Sequence, residues 1–142
     1  LDSCRIEKAY RHFGHDITDE DNLIEAGLGF TAAMSKSDFV GKQAILEKKA
    51  SGVDRLMLQF LLNDPSKMIY HHEPIIRGQE IVGYLTSGGY AHHSKKSMAL
   101  GYVPVELSKH ETSLDVEING NLYKAYVTDR PLYDANGGKM KS

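Results

Sequence analysis

The stretch LDVEINGNLYKAYV, residues 114–127, decides the fold. Leu114, Val116 and Ile118 alternate with Asp115 and Glu117, and a second run follows Asn119-Gly120. Asn-Gly between alternating segments is the strongest short-range signal for a β-hairpin. Working outward, Met98 to Val103 reads as another strand, ended by Pro104. Ile75 and Ile76 approach Arg77-Gly78, and Ile81, Val82, Tyr84 and Leu85 leave it, which predicts a second hairpin. Thr86-Ser87-Gly88-Gly89 reads as a loop. Leu56, Leu58, Phe60 and Leu62 alternate with Met57, Gln59 and Leu61, a strand with one apolar face, and Asn63-Asp64-Pro65-Ser66 breaks it. Short strands joined by turns predict a small antiparallel β-barrel rather than a parallel sheet.

Before Gly52 the period is helical, so the boundary falls there and the fold class is α+β. In RIEKAYRHFGHDITDEDNLIEAGLGF, residues 5–30, the residues Ile6, Ala9, Tyr10 and Phe13 fall on one face of a helix that Gly14 would cap. Gly27 and Gly29 let the backbone pass close to a neighbour. Residues 29–34 read as a short strand. A second helix starts at Ser37 or Asp38, turns Phe39, Val40, Ala44, Ile45 and Leu46 inward, carries Lys48 and Lys49 in its last turn, and is capped by Gly52.

Composition is that of a soluble globular chain: 142 residues, 41% hydrophobic and 25% charged, enough to bury a core without staples. A net charge of −2 argues against a nucleic-acid binder, which needs a broad basic face. One cysteine, Cys4, makes no internal disulfide and fits a reducing compartment. No apolar run reaches the roughly 20 residues of a membrane span, and no signal peptide opens the chain. A helix close to Leu1, with no initiator methionine, suggests a piece of a longer polypeptide. The Gly- and Lys-rich tail after Tyr133 is expected to be loose.

Five phrases in order, RIEKAYRHFGHDI, EAGLGF, VGYLTSGGY, SMALGYVPVEL and RPLYD, resemble the folate-dependent aminomethyltransferases: the T protein of the glycine cleavage system and its fused relatives. Within that family the likeness is greatest to the C-terminal part of bacterial dimethylglycine and sarcosine dehydrogenases. The resemblance implies that residues 1–52 end a folate-binding aminomethyltransferase domain, with DFVGKQAI leading out of it, and that residues 53–142 form the family's C-terminal β-barrel. It implies tetrahydrofolate as cofactor and one-carbon transfer as the parent's activity, in the bacterial cytoplasm. FAD would belong to the upstream part of such a parent, not to this segment. The family's catalytic acidic residue also lies upstream, so no catalytic residue is assigned here and the chain alone is expected to be inactive. The expected partners are folate and the upstream domains, without nucleic acid or membrane, and an exposed apolar helix face leaves room for self-association. The alternatives are a barrel that binds without turnover, and a demethylating relative that moves a methyl group on folate.

Arg5 is the first candidate for cofactor binding. The resemblance places an arginine of this phrase at folate or substrate, and a guanidinium fork suits the carboxylates of folate's glutamate tail. The competing reading is an ion pair with Glu7, Asp16 or another carboxylate. Glu25 and Asp16 either orient a partner or accept pterin hydrogen bonds, or else serve as caps or pair with Arg5 and Arg11. Tyr10 and Phe13 either stack on a flat ring or belong to the core, and Tyr133 either contacts folate or packs on the barrel. His71-His72 and His92-His93 cannot chelate as adjacent strand residues, whose side chains diverge, so no metal site is assigned. His15 reads as a loop-ordering hydrogen bonder, and Cys4 as an unreactive thiol.

Overall fold

The computed structural model describes residues 1–128, 130–139 and 141. Six strands, β1 (Arg55–Leu62), β2 (Pro74–Arg77), β3 (Glu80–Ala91), β4 (Lys96–Pro104), β5 (Ser113–Ile118) and β6 (Asn121–Thr128), close into a barrel in the order β1-β4-β3-β2-β5-β6. Every neighbouring pair is antiparallel. The β5–β6 hairpin turns at Asn119 and Gly120, both with positive φ (51° and 76°), as a two-residue turn matched to strand twist requires. Gly78 turns the β2–β3 hairpin at φ 67°. The hairpins and the β4 strand stand where the sequence placed them.

Inside the barrel pack Phe60, Leu62, Ile75, Leu85, Ala99, Val103, Leu114, Val116, Ala125 and Val127, joined by Ile69 from the β1–β2 connection and Leu107 from the 3-10 turn after β4. A second cluster lies outside the wall, where Ile6 and Ala9 cover Met98, Leu100 and Ala91. Strand β4 is therefore apolar on both faces. The same holds for β1: the expected single apolar face is corrected, because Met57 and Gln59 are as buried as Phe60 and Leu62. Gln59 faces away from the barrel interior. Its amide donates to Ile6 O at 2.7 Å and accepts from Leu132 N at 3.1 Å and Thr128 Oγ1 at 3.3 Å. One buried amide thus holds the N-terminal segment and the C-terminal segment to the same strand.

Among the described residues helix is confined to α1 (Asp2–Glu7), α2 (Lys42–Ser51) and two single 3-10 turns. The first helix stops well short of Phe13. Ala9 takes φ 56°, Tyr10 N bonds Arg5 O and Ala9 N bonds Ile6 O, the paired bonds of a left-handed helix terminus. Ile6 and Ala9 are buried, whereas Tyr10 and Phe13 are exposed. Gly14, expected as the cap, instead turns the loop that brings Phe13 beside Ile17. Residues 29–34 form a 3-10 turn and bends, not a strand. The second helix begins at Lys42 because Gly41, at φ 89°, interrupts any earlier start, and it ends at Gly52 as read. None of its residues is buried, and Val40 and Leu46 are exposed.

Thr86-Ser87-Gly88-Gly89 is not a loop but the middle of β3. The register shifts between Leu85 and Ser87, so Thr86 is the extra residue of a β-bulge. Gly88 is required there by packing, since a Cβ would stand 2.5 Å from Ile69 Cγ2. In the tail after Tyr133, Asp134 is held by Lys8, while positions 140 and 142 lie outside the described residues.

Candidate functional site

The α1 helix aims Arg5 at the β3 bulge. A bulge re-aims side chains that regular alternation would separate, and here the hydroxyls of Thr86 and Ser87 both donate to Asp16 Oδ1, at 2.6 and 2.5 Å. Asp16 Oδ2 accepts from the His12 amide at 2.8 Å and from Arg5 Nη1 at 2.5 Å. Burial alone would raise the Asp16 carboxyl. The bonds from Ser87, Thr86 and His12, with the Arg5 charge, outweigh it and hold the group below the usual carboxylate range. Arg5 also donates from Nη2 to Ser87 Oγ (2.9 Å), from Nη1 to Tyr10 O (3.3 Å) and from Nε to Asp2 Oδ1 (2.8 Å).

Arg5 is a wall of two concavities. One, of about 320 Å³, is lined by Asp2, His12, His15, Tyr70, His71 and Ser87 among others. The other, of about 540 Å³, is lined by Cys4, Lys8, Tyr10, His92, His93 and Tyr133. Tyr133 stands edge-on to His93, with ring centroids 4.7 Å apart at 77°, and Lys8 and Lys139 lie over its ring at 5.9 and 5.0 Å. Its backbone N–H donates to Glu7 O at 3.2 Å. Glu7, buried, accepts from the Ser94 amide and hydroxyl at 2.8 and 2.6 Å, which docks the β3–β4 turn carrying His92 and His93 against α1.

Of the residues singled out from sequence, Arg5, Tyr10 and Tyr133 come together on the larger cavity. Glu25 does not. Its carboxylate lies 3.4 Å from Arg55 Nε and 3.6 Å from Lys48 Nζ, and its carbonyl accepts from Met57 N at 2.8 Å, so it clips the N-terminal segment to the start of β1. Of the alternatives open to Glu25, ion pairing is the one seen, but with Arg55 and Lys48 in place of Arg5 and Arg11. Asp16, by contrast, takes the ion-pair role open to it. Phe13 is exposed and outside both cavities.

The histidines form a chain of ring contacts, His12–His15 (5.9 Å), His15–His71 (5.7 Å) and His71–His72 (4.8 Å). Among the described residues no group of three or more His, Cys, Asp or Glu is disposed to hold a metal ion. Sequence reasoning misses Lys8, Thr86 and Ser87, and weighs Glu7 only as an ion-pair partner of Arg5 and His93 only as a metal ligand. A Ser-Gly-Gly run reads as a breaker, and only the bulge reveals why two hydroxyls stand side by side. The arrangement offers a guanidinium held in place from behind and, beside it, an aromatic slot with a cationic rim.

Comparison with known proteins agrees with the barrel. The model of the glycine cleavage T-protein C-terminal barrel domain matches residues 55–134. An aminomethyltransferase of Synechocystis sp. is 38% identical over 93% of this chain and 36% of its own. A 4-methylaminobutanoate oxidase (formaldehyde-forming) of Paenarthrobacter nicotinovorans is 34% identical over 99% of this chain and 17% of its own. Human mitochondrial dimethylglycine dehydrogenase is 35% identical over 93% of this chain and 15% of its own. The crystal structure of the glycine cleavage system aminomethyltransferase T from Bartonella henselae superposes with a TM-score of 0.86 at 26% identity, covering 94% of this chain and 38% of that one. The chain thus spans well under half the length of these relatives. Among the described residues no helix is long and apolar enough to cross a membrane.

Proposed function

The chain belongs to the glycine cleavage T-protein C-terminal barrel family, and from that premise we propose that it is the C-terminal segment of a tetrahydrofolate-dependent one-carbon transferring enzyme, with its first 52 residues ending the folate-binding region and residues 53–142 forming the barrel. The parent is of the aminomethyltransferase or dimethylglycine/sarcosine dehydrogenase kind, in the bacterial cytoplasm. Its upstream domains are the natural partner and carry the catalytic acid and any flavin. This segment supplies one wall of the folate pocket and is inactive alone.

The observation that carries this reading is the convergence of Arg5, Tyr10 and Tyr133 on one cavity of about 540 Å³, although the last is separated from the first by the whole barrel. The volume lies within the roughly 300–1,000 Å³ of ligand pockets. The donors fit the cofactor: tyrosine and histidine rings for a flat body, a guanidinium for a glutamate carboxylate, and lysines at the rim. When bound, tetrahydrofolate supplies the nitrogen that takes up a one-carbon unit. The chain's own part is to hold and orient it, which is where much of a transfer barrier is removed. Glu25, engaged with Arg55 and Lys48, is left out of the pocket.

Calorimetric titration with tetrahydrofolate tests the reading on the full 142-residue chain and on its Arg5→Lys and Tyr133→Ala variants. Arg5→Lys keeps a cation against Asp16 but loses the fork. We expect affinity to fall by about 1–3 kcal/mol on losing a charged hydrogen bond. No saturable binding by the unsubstituted 142-residue chain, or unchanged affinity in both variants, would sink it.

A further inference from the structure

We propose that Asp2 keeps the seat of a ligand carboxylate at Arg5, and that an anionic ligand binds by taking its place while Asp16 stays. The proposal rests on the reading of Arg5 as a folate contact and adds how the contact is made. Arg5 has two acidic partners of opposite character. The Asp16 side chain is wholly buried, whereas that of Asp2 is 77% exposed. Asp16 is fixed by two hydroxyls and a backbone amide besides Arg5. Asp2 has Arg5 as its one hydrogen-bond partner among the described residues.

Charge makes the exchange necessary. One guanidinium already faces two carboxylates, so a third arriving without a departure would leave a net charge of about −2 around a single cation. Asp16 cannot leave without stranding a buried anion, which is strongly unfavourable. Asp2 can turn into water at little cost, because an exposed ion pair is worth little. Donor count agrees. Four of the five guanidinium N–H groups are engaged, by Asp2, Asp16, Tyr10 O and Ser87. Release of Nε from Asp2 frees a second donor, giving two for the two oxygens of a carboxylate.

Position agrees as well. Asp2 lines the smaller concavity only, while Arg5 lines both. A ligand whose rings lie against Tyr10 and Tyr133 would reach over Arg5 into the space that Asp2 leaves. The Asp2 carboxyl is held below its usual range by the hydrogen bond and charge of Arg5. It should return toward that range when the partner is taken.

Two measurements test this. In the first, tetrahydrofolate and tetrahydropteroate, which lacks the glutamate, are titrated into the chain and its Asp2→Asn variant. We expect the variant to bind tetrahydrofolate about two- to fivefold more tightly, the worth of an exposed ion pair, with tetrahydropteroate unaltered. Equal affinities, or equal gains for both compounds, overturn the exchange. In the second, the Asp2 carboxyl resonance is followed against pH with and without glutarate, which has carboxylates but no pterin. We expect its midpoint to rise with glutarate, and a midpoint that stays put overturns the exchange whether or not folate binds. Absence of tetrahydrofolate binding together with a glutarate-shifted midpoint would leave the exchange standing and remove only the folate assignment.

Discussion

The Asp16 carboxylate lies 2.5 Å from the Arg5 guanidinium with none of its own side chain exposed to solvent. Since its folded-state pKa is depressed, it contributes stability that is present above the unfolded carboxylate value, near about 4, and is lost as pH falls through the lower folded value. Asp16→Asn should cost about 3–5 kcal/mol, because it takes the negative charge out of a buried pair and leaves one acceptor oxygen where the donors of Arg5, His12, Thr86 and Ser87 had two. Urea unfolding should also show a weaker loss of stability below about pH 4 in the variant than in the parent. An acid limb of equal steepness in both would mean that other carboxylates carry it.

Much of the barrel is legible because its hairpins are local. Asn119-Gly120 and Gly78 need only their own φ angles to turn the chain, and their flanking residues alternate. What escapes the sequence is long-range. The apolar period that runs from Ile6 to Phe13 is real, but its second half never meets the barrel, because Ala9 ends the helix where no glycine announces it. Thr86 to Gly89 reads as a break until Ile69 is seen to lie against Gly88. At the site, Arg5, Tyr10 and Tyr133 stand out from their phrases. That Asp16, Thr86 and Ser87 hold the arginine depends on a bulge between β3 and β4, which no local pattern encodes.

Ala9 occupies the left-handed position that closes α1, a conformation costing an L-residue with a Cβ roughly 1 kcal/mol. Ala9→Gly should relieve that strain, offset in part by the freer unfolded chain and by the small buried methyl it gives up. A gain of about 0.5 kcal/mol is expected, read as a higher urea midpoint at unchanged slope. A loss would show that the methyl contact within the outer cluster outweighs the backbone.

Gln59 is the joint between both chain ends and β1. Replacing it by leucine keeps the volume but leaves Ile6 O and Leu132 N unpaired, at about 1–3 kcal/mol for each group that water cannot reach. Hydrogen exchange should then quicken in residues 1–9 and 130–134 before it does in β5 and β6. Uniform acceleration across the barrel would argue that the ends and the barrel open as one unit.

Gly83 and Gly120 separate close approach from backbone conformation. A Cβ at Gly83 would stand 2.0 Å from Tyr102 O, whereas at Gly120, with φ 76°, nothing lies within 4 Å. Gly83→Ala must therefore push β3 away from β4, and a loss of about 3 kcal/mol or more is expected, in the range of overpacking and strain. Gly120→Ala should cost only about 1 kcal/mol, the left-handed penalty alone. Thermal melts of the two variants side by side decide the matter, and equal losses would contradict the close approach of the two strands at Gly83.

Glu25 and Arg5 are both folate candidates by sequence, yet they lie against different parts of the barrel. Glu25 meets Arg55, whose guanidinium also reaches Asp21 at 2.9 Å and lies 4.6 Å from the centre of the Tyr102 ring. With Arg55 and Lys48 both partly exposed, Glu25→Gln should lower stability by no more than about 1 kcal/mol and should leave tetrahydrofolate affinity unaltered. The Arg5→Lys variant should show the converse, with weaker ligand binding. If Glu25→Gln weakened tetrahydrofolate binding as strongly as Arg5→Lys, the cavity bounded by Arg5, Tyr10 and Tyr133 would not be the seat of the cofactor.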